Sequence, residues 1–256
     1  MLQPEEARLV IESRGQLSRY PWMWKDLAGS WPLLEGRGLR TFDVSGNGNH
    51  GTLTGGPTWA RDAKHPYAID CDADTKYILL DNTVTWAGDK TIAWWGVRAS
   101  GTYGQIFARN GFAGYSFITS MTSGTLLRME TDQNNDRADG TLNDTDTTGW
   151  HHYALVQTGT SVQMYQDGVA LSMADSTIIN TSITADILGS LLTGSELKFA
   201  DPRIYSRPLS ATEVLGIYQA GSCAHLQLAR LPTAVAFSAA APAFAGQNTI
   251  LGAGVI

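Results

Sequence analysis

The 256-residue sequence predicts an all-β sandwich or barrel carrying one late helix, and three observations support this. Between Trp31 and about Ala220, short runs rich in β-branched and aromatic residues follow one another, separated by clusters of Gly, Asn and Asp. Segments with a helical apolar period are almost absent from that stretch. Charged residues make up 16% of the chain, below the roughly 25% of an average soluble protein. Thr, Ser, Gly and Asn fill the deficit, while a hydrophobic content of 43% is ample for a buried core. The length suits one large β domain.

Residues 1–27 read differently from the body. Pro4 to Arg14 has the character of a short helix, with proline in its first turn and Glu5 and Glu6 at the positive end of the dipole. Leu9, Val10 and Leu17 give it a narrow apolar stripe. Tyr20, Trp22 and Trp24 then alternate, an aromatic cluster suited either to plug the domain's own core or to meet another chain.

Strands are expected at Tyr67–Asp70, Tyr77–Leu80, Thr91–Val97, Gln105–Ala108, Tyr115–Thr119, Thr125–Met129, Trp150–Val156 and Ser161–Tyr165. Gln166-Asp167-Gly168 is a tight hairpin turn, with Gly168 free to take positive φ. Ser210 and Glu213 form a capping box for a helix running through Val214, Leu215 and Tyr218 to a stop near Gly221.

From Leu231 to Ile256 the chain carries no charge. Pro232 and Pro242 forbid a continuous helix, and Gln247-Asn248 interrupt any membrane-spanning run. Such a segment is sticky in water and calls for burial, on its own domain or as an extended strand along a neighbouring subunit. The neighbour is the expected host, because a completed sandwich leaves little room for more than twenty extra apolar residues. The expected organisation is therefore an N-terminal helix and aromatic arm over 1–27, a sandwich over 28–221 and an apolar arm over 222–256.

The net charge of −6 and the lack of any Lys/Arg run argue against nucleic acid or an acidic membrane as partner of the body. No stretch of 18 apolar residues would span a bilayer. Met1 to Glu6 lacks a basic region followed by an apolar stretch, so no signal peptide is expected. Cys71 and Cys223 show no framework spacing, and two free thiols are the expectation, with a disulfide left open.

Three stretches carry a family likeness. Leu27-Ala-Gly-Ser-Trp-Pro-Leu-Leu-Glu35 precedes Asp43-Val-Ser-Gly-Asn-Gly-Asn-His-Gly-Thr-Leu-Thr54. Trp150-His-His-Tyr-Ala-Leu-Val156 is followed by Tyr165-Gln-Asp-Gly168. Last comes Phe199-Ala-Asp-Pro-Arg-Ile-Tyr-Ser-Arg-Pro-Leu-Ser210, running into Glu213. In order and spacing they resemble laminin G-like members of the concanavalin A-like lectin and glucanase superfamily, over roughly residues 27–220. The resemblance implies an antiparallel two-sheet jelly roll that binds sugars or proteins.

The loop Asp43-x-Ser-Gly-Asn-Gly-Asn gathers side-chain oxygens of the kind calcium prefers. Asp43, Asn47 and Asn49, with Asp201 as a further ligand, form a candidate structural calcium site; the alternative is Asx turns that fix the loop. No other cofactor is expected. Alternation puts Trp150 and His152 on one face of their strand and His151 and Tyr153 on the other, so adjacent His residues cannot share a zinc ion.

The glucanase branch implies Glu-x-Asp-x-x-Glu on one strand, because retaining hydrolysis needs two carboxyls about 5 Å apart. Glu130-Thr-Asp132-Gln-Asn-Asn135 comes nearest but ends in Asn, and no nucleophile motif appears elsewhere, so an enzyme is not expected.

Two roles remain. The first is a structural protein of a virion, such as a phage decoration or fibre protein, or a filament subunit, located in a virion or extracellular assembly. Tyr20, Trp22, Trp24, Phe237, Phe244, Ile250 and Leu251 would pack on copies of the chain or on other shell or filament proteins. The second is a carbohydrate-binding module, with Trp94, Trp95, Trp59 and Trp86 as candidates to stack on sugar rings.

Overall fold

The structure, a computed structural model, describes residues 20–61, 65, 67–72, 75–98, 105–109, 117–119, 125–131, 136–146, 148–179, 181–189 and 197–226. The expected helix over 4–14 and the apolar arm after Leu226, with Phe237, Phe244, Ile250 and Leu251, lie outside the described residues.

Seventeen strands are present among those residues. They are β1 (Leu27–Ser30), β2 (Arg40–Thr41), β3 (Gly51–Thr54), β4 (Thr58–Ala60), β5 (Ala68–Cys71), β6 (Tyr77–Trp86), β7 (Lys90–Arg98), β8 (Gln105–Ala108) and β9 (Phe117–Thr119). They continue as β10 (Leu126–Glu130), β11 (Arg137–Thr141), β12 (His151–Thr158), β13 (Ser161–Gln166), β14 (Val169–Ala170), β15 (Ser172–Asp175), β16 (Ile183–Gly189) and β17 (Leu197–Tyr205). A 3-10 turn (Pro21–Trp24) precedes β1, and helix α1 (Ala211–Ala220) follows β17. One sheet runs β14-β13-β12-β7-β17-β5-β4, with β1 also paired to β17; the other runs β15-β11-β10-β9-β8-β16-β6-β3-β2. The described pairings are antiparallel, as in the sandwich the sequence predicts.

Side-chain alternation builds the core. On β7, Ile92 and Trp94 point between the sheets; on β12, Tyr153 and Leu155 do so. They meet Ile78, Leu80, Phe107, Leu127, Met129 and Leu188 of the second sheet. Each such side chain stabilises the fold by about 1.5–3 kcal/mol on burial. Lys90 lies at one end of this interior. Its Nζ donates to the Gly88 and Thr181 carbonyls and to Gln157 Oε1, while burial pulls its pKa down to about 8.

The outer face of the first sheet is also covered. Ala93, Ala154, Val156, Tyr165 and Tyr205 form an apolar floor under Met23, Leu209, Val214 and Ile217. Tyr20, Trp22 and Trp24 pack, partly buried, against this cluster of their own chain, the plug being one of the two roles expected for them. The reason is geometric: α1 has ten residues and leaves part of the floor open, and the N-terminal turn fills it. Trp22 lies so close to α1 that a Cβ on Gly216 would stand 3.2 Å from its ring.

The capping box forms as read. Ser210 Oγ accepts from the Glu213 amide, and the Glu213 carboxylate accepts from the Ser210 amide. Arg207 holds the same carboxylate, and that hydrogen bond lowers its pKa to about 2. The hairpin turn takes positive φ at both Asp167 (52°) and Gly168 (78°). Gly168 is needed for a second reason, since a Cβ there would stand 2.7 Å from Leu215 of α1.

One irregularity orders the rest. The pairing of β17 with β7 shifts between Ala200 and Arg203, and Asp201 takes φ +50°. This bulge turns Arg203 to the outer face while returning Ile204 to the core. There Arg203 and Asp201 form an ion pair, each side chain 1% exposed. Asp201 also accepts from the Cys223 amide at 2.6 Å, so the pair anchors the chain just beyond α1.

Candidate binding pocket

Beside the apolar floor, the same outer face carries an aromatic pocket of about 450 Å³, lined by His65, Trp95, Trp150, Tyr218, Gln219, Gly221 and Ser222. Its volume falls within the roughly 300–1,000 Å³ of small-molecule sites. Alternation on β7 sends Trp94 inward and Trp95 outward. The β7–β12 register places His152 directly opposite Trp95, and Trp150 stands on the same face just before β12. Helix α1 turns Val214 and Ile217 onto the floor and brings Tyr218 over Trp95, their rings stacked at 5.8 Å. Gly221 ends the helix at φ +84°, which carries Ser222 to the rim.

The rings interlock. His65 lies 4.2 Å from Trp150 and 4.7 Å from Trp95, and His152 lies 5.2 Å from Trp95 beneath them. Trp95 is 8% exposed and its indole Nε1 has no hydrogen-bond partner, nor has His152 Nδ1. An indole N–H can only donate, and this buried one has no acceptor within the protein. Burial, aided by the nearby Arg203 charge, lowers the His152 pKa to about 3, and its imidazole is neutral. Arg203 stays charged: burial opposes this, but Asp201 and the Tyr205 oxygen outweigh burial and raise its pKa.

Of the four tryptophans expected to stack on sugar, Trp95 lines the pocket. Trp94 and Trp86 correct the expectation: both are buried between the sheets, Trp94 near Tyr153 and Trp86 near Phe107, and offer no face to a ligand. Trp59 packs toward the interior from β4, and its N–H is taken by the Gly38 carbonyl. His65, Trp150 and Tyr218 were not expected as site residues. For Trp150, the shared face with His152 was the available signal.

The residues of the calcium set have partners within the protein. The Asp43 carboxylate accepts from the Ser30, Ser45 and Asn49 amides at 2.8–3.1 Å, which makes it the hub of an Asx-fixed loop. Asn47 Nδ2 donates to the Ala28 carbonyl, and the Asn49 carbonyl accepts from Trp31 Nε1. Asp201 faces Arg203, whose charge would repel a divalent cation. Among the described residues, no three His, Cys, Asp or Glu gather in a metal-binding group.

His151 faces away from the pocket, as alternation requires. Its Nδ1 lies 2.7 Å from Asp167, and this hydrogen bond raises its pKa. Glu130 lies on the outer side of β10, opposite the inward Leu127 and Met129; Asp132 and Asn135 lie outside the described residues. Cys71 and Cys223 are free thiols.

A laminin G-type family model, described as the concanavalin A-like lectin/glucanases superfamily, matches residues 72–215. The chain belongs to this superfamily. Solved structures with the same lectin-like architecture include the binding domain of Paraclostridial Mosquitocidal Protein 1, with a TM-score of 0.55 at 16% identity. That match covers 75% of this chain and 52% of the other. The botulinum neurotoxin serotype D binding domain in complex with N-acetylneuraminic acid gives 0.53 at 13%, covering 76% and 50%. A Trypanosoma rangeli sialidase gives 0.54 at 12%, covering 76% of this chain and 32% of the enzyme. At these identities the likeness is one of fold, and the lectin-like chain spans about half the length of the toxin domains. No curated protein matches it. Among the described residues, no helix is long and apolar enough to cross a membrane.

Proposed function

We propose that this chain is a non-catalytic, lectin-like binding module that receives a sugar ring in the pocket of Trp95, Trp150, Tyr218 and His65. The carrying observation is the convergence of these rings on one pocket of small-molecule size, with an amide and a hydroxyl among its lining residues. Aromatic faces suit the C–H side of a pyranose, and the Gln219 amide and the Ser222 hydroxyl suit its hydroxyls. Two of the proteins sharing the fold were solved with sialic-acid-type ligands, which supports sugar binding as a use of this architecture.

The assembly role keeps two supporting observations, the low-charge body and the charge-free segment 231–256, while the N-terminal aromatics are partly buried against their own domain. The two roles are compatible, since a subunit of a larger body can display a binding pocket.

Trp150 is half-buried at the rim and packs against the small outer cluster of Ala68, Trp95 and Ala200 rather than either main core, so truncating it removes ligand surface without opening the space between the sheets. Trp150→Ala is expected to weaken binding to any glycan identified by array at least tenfold, about 1.4 kcal/mol. Its denaturant midpoint should stay close to that of the parent chain, and Trp150→Phe should retain most of the affinity. Undiminished binding by Trp150→Ala, measured by calorimetry, would place the glycan elsewhere on the molecule.

A further inference from the structure

We infer that the pocket selects an uncharged sugar ring over an acidic one; this rests on the reading of the pocket as a glycan site. The described residues lining it are three aromatic side chains, the His65 imidazole, an amide, a hydroxyl and a glycine, with no carboxylate, ammonium or guanidinium among them. Burying a carboxylate is costly unless a cation or several strong donors replace its water. Arg203 is the cation that reaches the floor under this face, and it is already taken. Its Nε donates to Asp201 Oδ1 at 3.1 Å, its Nη2 pairs with Asp201 Oδ2, and its side chain is 1% exposed. His152 is neutral and lies beneath Trp95. The net charge of −6 further disfavours an anionic ligand at long range.

What the pocket does offer suits a neutral ring. Gln219 and Ser222 bring an amide and a hydroxyl to the lining, fit for sugar hydroxyls. Trp150 and Tyr218 offer π faces, whose negative quadrupole accepts C–H groups and repels a carboxylate. The same arrangement makes binding insensitive to salt, because no charge pair forms.

The test is calorimetric titration of the full chain with matched pairs that differ at C6: glucose against glucuronic acid, and galactose against galacturonic acid, with N-acetylneuraminic acid as a third acid. It is run near neutral pH, at low and near-physiological salt, on the parent chain and Trp150→Ala. At least one neutral sugar is expected to bind tenfold or more tightly than its acid, to change less than about twofold with salt, and to be lost in Trp150→Ala. An acid that binds as tightly as its neutral partner, and is lost in Trp150→Ala, overturns the selectivity while leaving the pocket a glycan site. If neither class binds, the glycan reading itself falls.

Discussion

Replacing Arg203 with Met lowers the stability of the folded chain by about 3–5 kcal/mol, the usual cost of leaving one member of a buried ion pair alone. Asp201 is 2% exposed and would be left buried with the Cys223 amide as its remaining named donor. The bulge that creates the pair also joins three distant parts of the chain. Arg203 contacts Met23 in the N-terminal turn, Asp201 holds Cys223 beyond α1, and both sit in the central strand β17. The double substitution Asp201→Asn with Arg203→Met should recover much of the loss, since Asn tolerates the positive φ at 201 and carries no charge. Denaturant unfolding of the singles and the double measures this coupling. A loss below about 1 kcal/mol in Arg203→Met would show that the pair does not hold these elements together.

Acid should destabilise the fold through His152. Its folded pKa is lowered from 6.5 to about 3, so between those values the unfolded state binds the extra proton. Stability therefore falls as pH drops from 6.5 toward 3, at up to about 1.4 kcal/mol per pH unit. The accumulated effect is on the order of 5 kcal/mol. Glu213, lowered from 4.5 to about 2, adds loss of the same sign over that lower window. His151 acts oppositely: its raised pKa means the Asp167 contact is fully present below pH 6.5 and is lost as pH rises through the folded value. The difference between the parent and His152→Phe isolates the first effect, because a phenyl ring can occupy the site beside Trp95 and Tyr218 without titrating. Equal slopes for the two proteins between pH 6 and about 4 would mean that His152 is not held neutral in the fold.

Local signals carried most of the architecture. Period-two runs located β7, β8, β10, β12 and β13, the Asp-Gly pair located the hairpin, and Ser210 with Glu213 located the helix start. The rest depended on long-range pairing. Trp86 lies beyond the strand expected at Tyr77–Leu80, yet β6 continues for ten residues, with a shift in its pairing to β16, and buries its last ring. The bulge at Asp201 left no local mark that distinguishes it from a strand end, and without it Arg203 would face the core. The pocket combines residues near positions 65, 95, 150 and 220. Alternation put Trp150 and His152 on one face, and Trp94 and Trp95 on opposite faces. That His152 lies opposite Trp95 follows from sheet register, which no short segment encodes.

The most direct test of the pocket is the indole N–H spectrum of the ¹⁵N-labelled full chain, followed while a neutral sugar from the matched pairs is added. The Trp95 and Trp150 signals, assigned by Trp95→Phe and Trp150→Phe, should shift together and saturate. The Trp59 signal should stay fixed, because its N–H is bonded to Gly38 on the other side of the sheet. Saturable shifts confined to Trp59 or to the turn tryptophans Trp22 and Trp24, with Trp95 unmoved, would contradict the assignment of the sugar site to this pocket.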